Sequence, residues 1–524
     1  MPFYFMDFRQ KILDYYSLSE LDYKNLTRPL DELELPDFNA PPDMAKIKNR
    51  IFKAIENKEK IIIYGDYDCD GICSTSIMVK TFDKLGYKAA YYIPIRYTDG
   101  YGLNVNNVIK MKNAGFSLII TVDNGISQHE AIDKANELGI DVIVIDHHEV
   151  PEEPVKALGI IHPSVSHISE EFGCGAFMSL ITSASLLGSY DPYLLTLAGL
   201  ATISDMMELK GFNRNVVRLA LDNLRKYRYA PLISLLESEI ITEKSFGLDI
   251  APKINAVGRL VDDKNINLLV KFLLSEDNDE IFKISSWIKN TNELRKTLTK
   301  EAVEALPKDM FNEEGIVLKL DIKEGLIGLI ANKLLNEYNV PSIVFTEDST
   351  DKNFLKGSIR SKEGFNVQKA FEYLSKYIVG GGGHAFAGGL SIKASDFDEF
   401  KHDFIELCKE YKFTKIEPPS IELKLQDVNF TNYAILREFA PFGIGFPEPL
   451  FSLKDLPTKS LQFISFGKHL STPISINSKI LGFNMPQSEL KAYLSVDLFG
   501  NLTTSSFRGK TTVEFRVSDF ITKN

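Results

Sequence analysis

The stretch IIIYGDYDCDG (residues 61–71) decides the fold. A β-type apolar run meets Gly65, three alternating aspartates and Gly71, after which Ile72–Leu85 has helical spacing. A strand that stops at a glycine turn and restarts as a helix is the opening unit of a parallel sheet wrapped by helices. The pattern repeats downstream. AAYYIPI (89–95), LIIT (118–121) and DVIVI (141–145) read as further strands, with helical spacing over Asn104–Asn113 and Gln128–Leu138. In such sheets ligands collect at the carboxyl ends of the strands.

Those ends carry the chemistry. IIIY leads to Asp66, Asp68 and Asp70; LIIT leads to Asp123; DVIVI leads to Asp146, His147 and His148. One acid at a strand end is ordinarily a helix cap. Three neighbouring ends place several carboxylates and two imidazoles in one crevice, where repulsion is costly unless cations neutralise it. Mixed Asp and His ligands suit Mn²⁺ or a similar borderline metal better than an all-oxygen Ca²⁺ cage. Divalent ions paired roughly 3.5–4 Å apart are a standard device for phosphoester hydrolysis. Asp205, in LATISDMMEL, is a further candidate, with a helix cap as an equal alternative.

The rest of the chain is read more coarsely. Its 524 residues suggest three or four domains at roughly 150 residues each. Asp279–Ala305 has few breakers and reads as one long linking helix. A second α/β unit begins near Gly315, with IVLKL and SIVF flanking GLIGLIANKLLNEY, and ends around Gly380–Gly383. Beyond Glu417 the chain turns to β-type alternation, as in a small barrel or sandwich. The expected segments are 1–275, 276–305, 306–414 and 415–524. With 71 acidic and 60 basic residues and 44% hydrophobic content, the chain is neither wholly disordered nor a long basic arm. The acidic balance argues weakly against nucleic acid, yet the segment from Lys415 onward is slightly basic, and acid elsewhere can serve as metal ligand. The first residues lack a secretory pattern, no apolar run approaches the ~18 residues of a membrane helix, and four cysteines form neither a disulfide framework nor a zinc pattern. The expectation is a soluble cytoplasmic protein.

YGDYDCDG, TVDNGI, DHH and SDMMEL, in that order, resemble the four motifs of the DHH phosphoesterase superfamily. RYTDGYGLN, KINAVGRL, GLIGLIANKL, KGSIRSKEGFN, GGGGHAFAGGL and PFGIGFPEP resemble one branch, the RecJ-like single-strand-specific exonucleases, over most of the chain. The resemblance implies a DHH domain, a smaller DHH-associated domain and an OB-like domain. It implies metal ligands at Asp68, Asp70, Asp123, His147 and Asp205, with Asp66 beside them and His148 against the scissile phosphate. Two Mn²⁺ or Mg²⁺ ions are expected. Some relatives have a histidine where this chain has Tyr64, which would leave the second ion fewer protein ligands.

In the second unit the resemblance implies a cleft for the strand and its terminal phosphate, lined by Arg259, Ser358, Arg360, Gly382, Gly383 and His384. The Gly run reads as an anion cradle, with a flexible turn as the ordinary alternative. Lys323 stands where relatives often have a Trp-His pair. In the C-terminal segment Phe442, Phe446, Phe463, Phe466, Lys468 and His469 fit a stacking surface for single strands, although most phenylalanines of a small barrel are core. Cys69 and Cys73 read as packing, and His129, His162, His167 and His402 have no ligand constellation around them.

The expected activity is a metal-dependent exonuclease cutting single-stranded DNA from the 5′ end, in repair or recombination. The expected protein is a monomer, with single-strand-binding or repair proteins as partners and no membrane contact. Two alternatives stand beside it. One is a phosphodiesterase for oligoribonucleotides or cyclic dinucleotides, which needs no stacking platform. The other is a non-catalytic nucleic-acid-binding relative, against which the intact ligand set argues.

Overall fold

A computed structural model describes residues 7–166, 173–306, 314–410, 418–507 and 509–524, with the side chains of Lys264 and Phe507 left aside. His167 and the expected boundary at 414/415 lie outside these residues. Strands β1 (Lys60–Tyr64), β2 (Ala90–Tyr92), β3 (Phe116–Val122), β4 (Asp141–Ile145) and β5 (Gly159–Ile161) form a parallel sheet in the order β2-β1-β3-β4-β5. Its central strands are buried on both faces, which is why they read as unbroken apolar runs. β5 is too short to stand out in the sequence. Helices Cys69–Lys84, Gly175–Leu187 and Pro192–Ser204 pack into this domain, and the last two are apolar on nearly every side.

The 27-residue helix Asn278–Glu304 leads to a second sheet. Strands β6 (Ile316–Lys319), β7 (Ser342–Glu347), β8 (Phe354–Arg360), β9 (Ile378–Gly383) and β10 (Ala387–Lys393) run in the order β6-β7-β8-β10-β9. Only β6 and β7 pair in parallel. Gly380–Gly383 therefore belongs to the edge strand β9 rather than a loop, since β10 offers an antiparallel partner through Gly388–Ser391.

By internal contacts the chain divides into two compact units. One comprises Leu35–Met207 and the described residues from Gly211 to Glu410. The other joins the described residues up to Glu34, Glu208–Lys210 and the described residues from Pro418. In this second unit strands β11 (Ile421–Glu422), β12 (Phe451–Pro457), β13 (Phe463–Ile464), β14 (His469–Ser475), β15 (Ser478–Gly482), β16 (Ser495–Phe507) and β17 (Lys510–Lys523) form one sheet, ordered β11-β12-β16-β17-β15-β14-β13. Phe8, Ile12 and Leu13 of the N-terminal helix Phe8–Tyr16 share its core with Phe439, Phe451 and Phe515. The sequence reading grouped those N-terminal residues with the DHH domain; their apolar face packs instead with a partner more than 400 positions away.

Candidate metal and phosphate site

Each motif residue is aimed by a local device. Asp68 is the N-cap of helix Cys69–Lys84 and accepts the Gly71 N–H at 3.0 Å. Asp70 reaches across to helix Gly175–Leu187, whose first amides, Gly175 N–H and Ala176 N–H, each donate to its carboxylate at 2.7 Å. Asp123 leaves β3 in left-handed backbone, φ 60°, held by its N–H to the Ile145 carbonyl at 2.9 Å. A β-carbon on Gly175 would lie 2.6 Å from Asp123 Oδ1, so that helix can begin there only with glycine.

Asp146 braces the DHH motif. Its Oδ1 accepts the His147 N–H and His148 Nδ1–H at 2.7 Å each, and its Oδ2 accepts the Ile126 N–H at 2.9 Å. His162, read in the sequence as bland, lies with Nε2 2.8 Å from the His148 carbonyl. The Ser164 N–H donates to His162 Nδ1 at 3.2 Å, so Nε2 carries the proton. The Tyr101 hydroxyl lies 3.1 Å from the His148 ring. Only the RYTDGYGLN motif hinted at Tyr101. No spacing rule could find His162, because its partner is a backbone carbonyl.

The side chains converge on His147. Its Nε2 lies 3.2 Å from Asp123 Oδ1 and 3.6 Å from an oxygen of Asp70 and one of Asp205. Asp205 follows the C-terminus of helix Pro192–Ser204, so it is both a cap residue and part of the cluster. Tyr64 is no part of it. Its ring is fully buried, with the hydroxyl donating to the Gly102 carbonyl at 3.1 Å and accepting from Asn107 at 3.1 Å.

Among the described residues three sets bring potential ligand atoms within 4.8 Å of one another: Asp123, His147 and His148; Asp70, His147 and Asp205; Asp66, Asp68 and Asp123. Asp123 and His147 each belong to two sets, the sharing expected of ligands between neighbouring ions. Asp66 Oδ1, Asp123 Oδ1 and His147 Nε2 are buried with no hydrogen-bond partner. Such atoms are costly unless something else coordinates them. This donor set of carboxylates and imidazoles fits divalent metal.

The crowding has a measurable consequence. Burial, then the charges of Asp70 and Asp68, push Asp205 up to about 8. Burial and the neighbouring carboxylates likewise raise Asp66, Asp68 and Asp123. Burial pulls His148 down, but the Asp146 hydrogen bond and charge outweigh it and carry it to about 9. Burial lowers His147, which works in the opposite direction. A carboxyl raised on folding keeps a proton that the unfolded chain has already released, so stability falls as pH rises between the two values. His148 works in the same direction, its contribution being lost as pH rises through 9. In chelator the Tm is therefore expected to fall from pH 5 to pH 8, and Mn²⁺ should raise it more at pH 8. Thermal denaturation across that range checks this, and a Tm in chelator that climbs with pH contradicts it.

A cavity of about 580 Å³ opens in the same unit. Arg96, Arg259, Ser358, Arg360, Gly380 and Gly381 line it, with the first turns of helix Glu324–Tyr338. Its connection to the cluster is direct. The Arg96 guanidinium stacks 4.4 Å from the ring of Tyr67, which lies between Asp66 and Asp68. A β-carbon on Gly258 would lie 2.2 Å from the Tyr67 carbonyl oxygen, one on Gly325 2.3 Å from the Arg259 carbonyl oxygen, and one on Gly328 2.8 Å from Arg360 Nη2. Arg360 donates to Ser358 Oγ at 2.9 Å, and Arg259 to the Gly325 carbonyl at 3.1 Å.

Among the described residues none of Arg96, Arg259 and Arg360 forms an ion pair. Burial, then the charges of Arg96, Arg295 and Arg360, pull Arg259 down to about 10. Three guanidiniums against one lining carboxylate, Glu324, with which none of them forms an ion pair among the described residues, leave a net positive cavity beside a helix N-terminus, the make-up of an anion site. Of the expected phosphate residues, Arg259, Ser358 and Arg360 line the cavity; Gly382, Gly383 and His384 do not. Gly382 and Gly383 pair with Gly389 and Gly388, and His384 follows them beyond the strand. Lys323 is held by Asp262 at 2.9 Å.

Comparisons with known proteins match the domains described above. Residues 60–203 match the DHH family N-terminal domain, 312–410 the DHHA1 domain and 420–519 the RecJ OB domain. The chain is 33% identical to a single-stranded-DNA-specific exonuclease RecJ of Bacillus subtilis over 86% of its own length and 59% of the relative's. It is 30% identical to that of Escherichia coli, over 76% of each chain. The crystal structure of RecJ from Thermus thermophilus in complex with Mn²⁺ superposes with a TM-score of 0.82 at 23% identity, covering 99% of this chain and 76% of that one.

Proposed function

The chain belongs to the RecJ family, and we propose that it is a metal-dependent exonuclease that hydrolyses single-stranded DNA from the 5′ end, in DNA repair or recombination. The observation that carries the reading is the contiguity of the carboxylate–imidazole cluster with the unpaired arginines through Tyr67 and Gly258. Divalent ions held by Asp68, Asp70, Asp123, His147 and Asp205 would supply Lewis-acid stabilisation of the phosphoryl oxygens and an activated water. The protein's own groups do the positioning. Arg259, Ser358 and Arg360 hold a terminal phosphate in the cavity, with Arg96 between cavity and cluster. His148, kept cationic near neutrality by Asp146 and steadied by His162 and Tyr101, faces the scissile phosphate. Among the described residues no helix is long and apolar enough to cross a membrane.

Digestion of end-labelled single strands, duplexes and dinucleotides with Mn²⁺ or Mg²⁺ tests the assignment. Stepwise release of mononucleotides from single strands is expected. Preferential cleavage of dinucleotides would favour the small-substrate phosphodiesterase instead.

The second unit supports the long-strand reading. Phe442 is buried, and Phe446 and Phe463 pack against the core. Phe466 is fully exposed at the β13–β14 hairpin tip, where Ser465, Phe466 and Gly467 all have positive φ. Lys468 and His469 follow it, and Phe483 packs edge-on to His469. A base–aromatic stack is worth roughly 1–3 kcal/mol by alanine substitution. Phe466→Ala should therefore weaken binding of a long single strand about fivefold or more, with cleavage of very short strands unchanged. Fluorescence anisotropy in chelator reads the first effect, and parent-like affinity there removes Phe466 from the strand path.

A further inference from the structure

A second cavity, of about 420 Å³, lies at the far ends of two helices that carry the metal cluster. Helix Cys69–Lys84 begins at Asp68 and Asp70 and ends with Lys80 and Lys84 at this cavity. Helix Pro192–Ser204 runs the other way, with Asp191 and Tyr193 at the cavity and Asp205 at the cluster. Lys84 pairs with Asp191 at 2.9 Å, while Asp70 and Asp205 both approach His147. At 1.5 Å per residue the two sites are about 20 Å apart.

The walls are aromatic and the rim is cationic. Tyr193 and Tyr229 have ring centroids 4.6 Å apart, and Tyr227 lies 5.7 Å from Tyr229. Tyr193 is fastened by its hydroxyl to the Leu273 carbonyl. Lys84 and Lys80 are balanced by Asp191 and Glu276, but Arg228, at the mouth, forms no ion pair among the described residues. Among the lining residues the surplus charge is therefore one guanidinium, beside the exposed Tyr227, over whose ring Lys226 Nζ lies 4.9 Å from the centroid. A cavity of this volume takes one small molecule. Tyrosine offers a planar ring a stacking surface whatever the base, and a guanidinium offers a phosphate two parallel donors.

We infer that this cavity binds a nucleoside monophosphate. The identity of the ligand rests on the proposed exonuclease reading, since stepwise hydrolysis releases that class of molecule; the aromatic and cationic walls do not. A product held here would touch both helices whose opposite ends carry Asp68, Asp70 and Asp205, and any coupling between the two sites would be reciprocal.

Isothermal titration of the full chain with dAMP in chelator tests the site without requiring hydrolysis. Saturable binding that survives Arg360→Ala, which disables the proposed terminal-phosphate site, is expected, with deoxyadenosine and inorganic phosphate each binding at least tenfold more weakly. Arg228→Gln and Tyr227→Ala alter exposed residues and should each weaken dAMP binding about tenfold. Both variants should hydrolyse single strands at the parent's initial rate. No saturable dAMP binding, or affinity unchanged in either variant, overturns the inference. If the parent binds dAMP as expected yet leaves single strands intact, the exonuclease reading fails while the cavity assignment stands.

Discussion

Asp123→Asn is expected to abolish hydrolysis of single strands while making the metal-free protein more stable at pH 8. The two effects share one cause. Asp123 is buried, lacks a hydrogen-bond partner at Oδ1, and stands among Asp70, Asp68 and Asp66, whose charges add to burial in pushing its pKa well up. Asparagine keeps the shape and tolerates the left-handed backbone at φ 60°. It removes a charge that two of the three candidate ligand sets share. Metal supplies several kcal/mol of transition-state stabilisation, so unseating it should slow turnover roughly a thousandfold or more. The same change relieves repulsion that costs stability whenever no cation is bound. Turnover at saturating Mn²⁺ and Tm in chelator, measured on one preparation, give both readouts. Parent-like turnover would remove Asp123 from the metal site. A lower Tm in chelator would mean that the cluster is not under repulsive strain.

The strand-end acids were legible because a parallel sheet announces itself locally. An apolar run, a glycine and an acid lie within about ten residues, and the fold gathers such ends on one edge. What stayed hidden depends on partners remote in sequence. Asp70 looks like any first-turn aspartate until helix Gly175–Leu187, more than 100 positions away, donates two amides to it. Tyr64 looked like a substituted ligand position, but the Gly102 carbonyl and Asn107 draw its hydroxyl into the core. Asp205 was ambiguous between cap and ligand; it stands at the C-terminal end of its helix, where its carboxylate caps no amide among the described residues and approaches His147 instead. Arg259 and Arg360, over 100 positions apart, share a cavity because Gly325 lets its helix approach the Arg259 backbone and Gly328 leaves room for the Arg360 and Ser358 side chains. The Gly run misled the reading in the opposite sense. Four glycines suggested a loop, and only the later β10 made them a strand.

In the proposed reading, which end of the strand enters is set by that cavity rather than by the metal ligands. A terminal phosphate carries more charge than an internal one, so an enclosed group of guanidiniums can tell the two apart. Arg360 is mostly buried, and burial lowers its guanidinium pKa, yet no carboxylate balances it among the described residues. It donates to Ser358 Oγ and the Ile359 carbonyl, and Gly328 leaves room for its tip to face the opening. A purely structural ion pair finds no partner there: Glu324 is the one carboxylate lining the cavity among the described residues, and no ion pair joins it to Arg360. Losing one charge-assisted phosphate contact should cost roughly 1.5–3 kcal/mol. Arg360→Ala is therefore expected to slow hydrolysis of 5′-phosphorylated strands some ten- to a hundredfold. Strands ending in a 5′-hydroxyl, which never make the full contact, should lose much less. Single-turnover rates on the two substrates, at equal strand length and saturating Mn²⁺, provide the comparison. Equal losses would mean that Arg360 supports the cavity without reading the end, and polarity would then have to arise from the path of the strand.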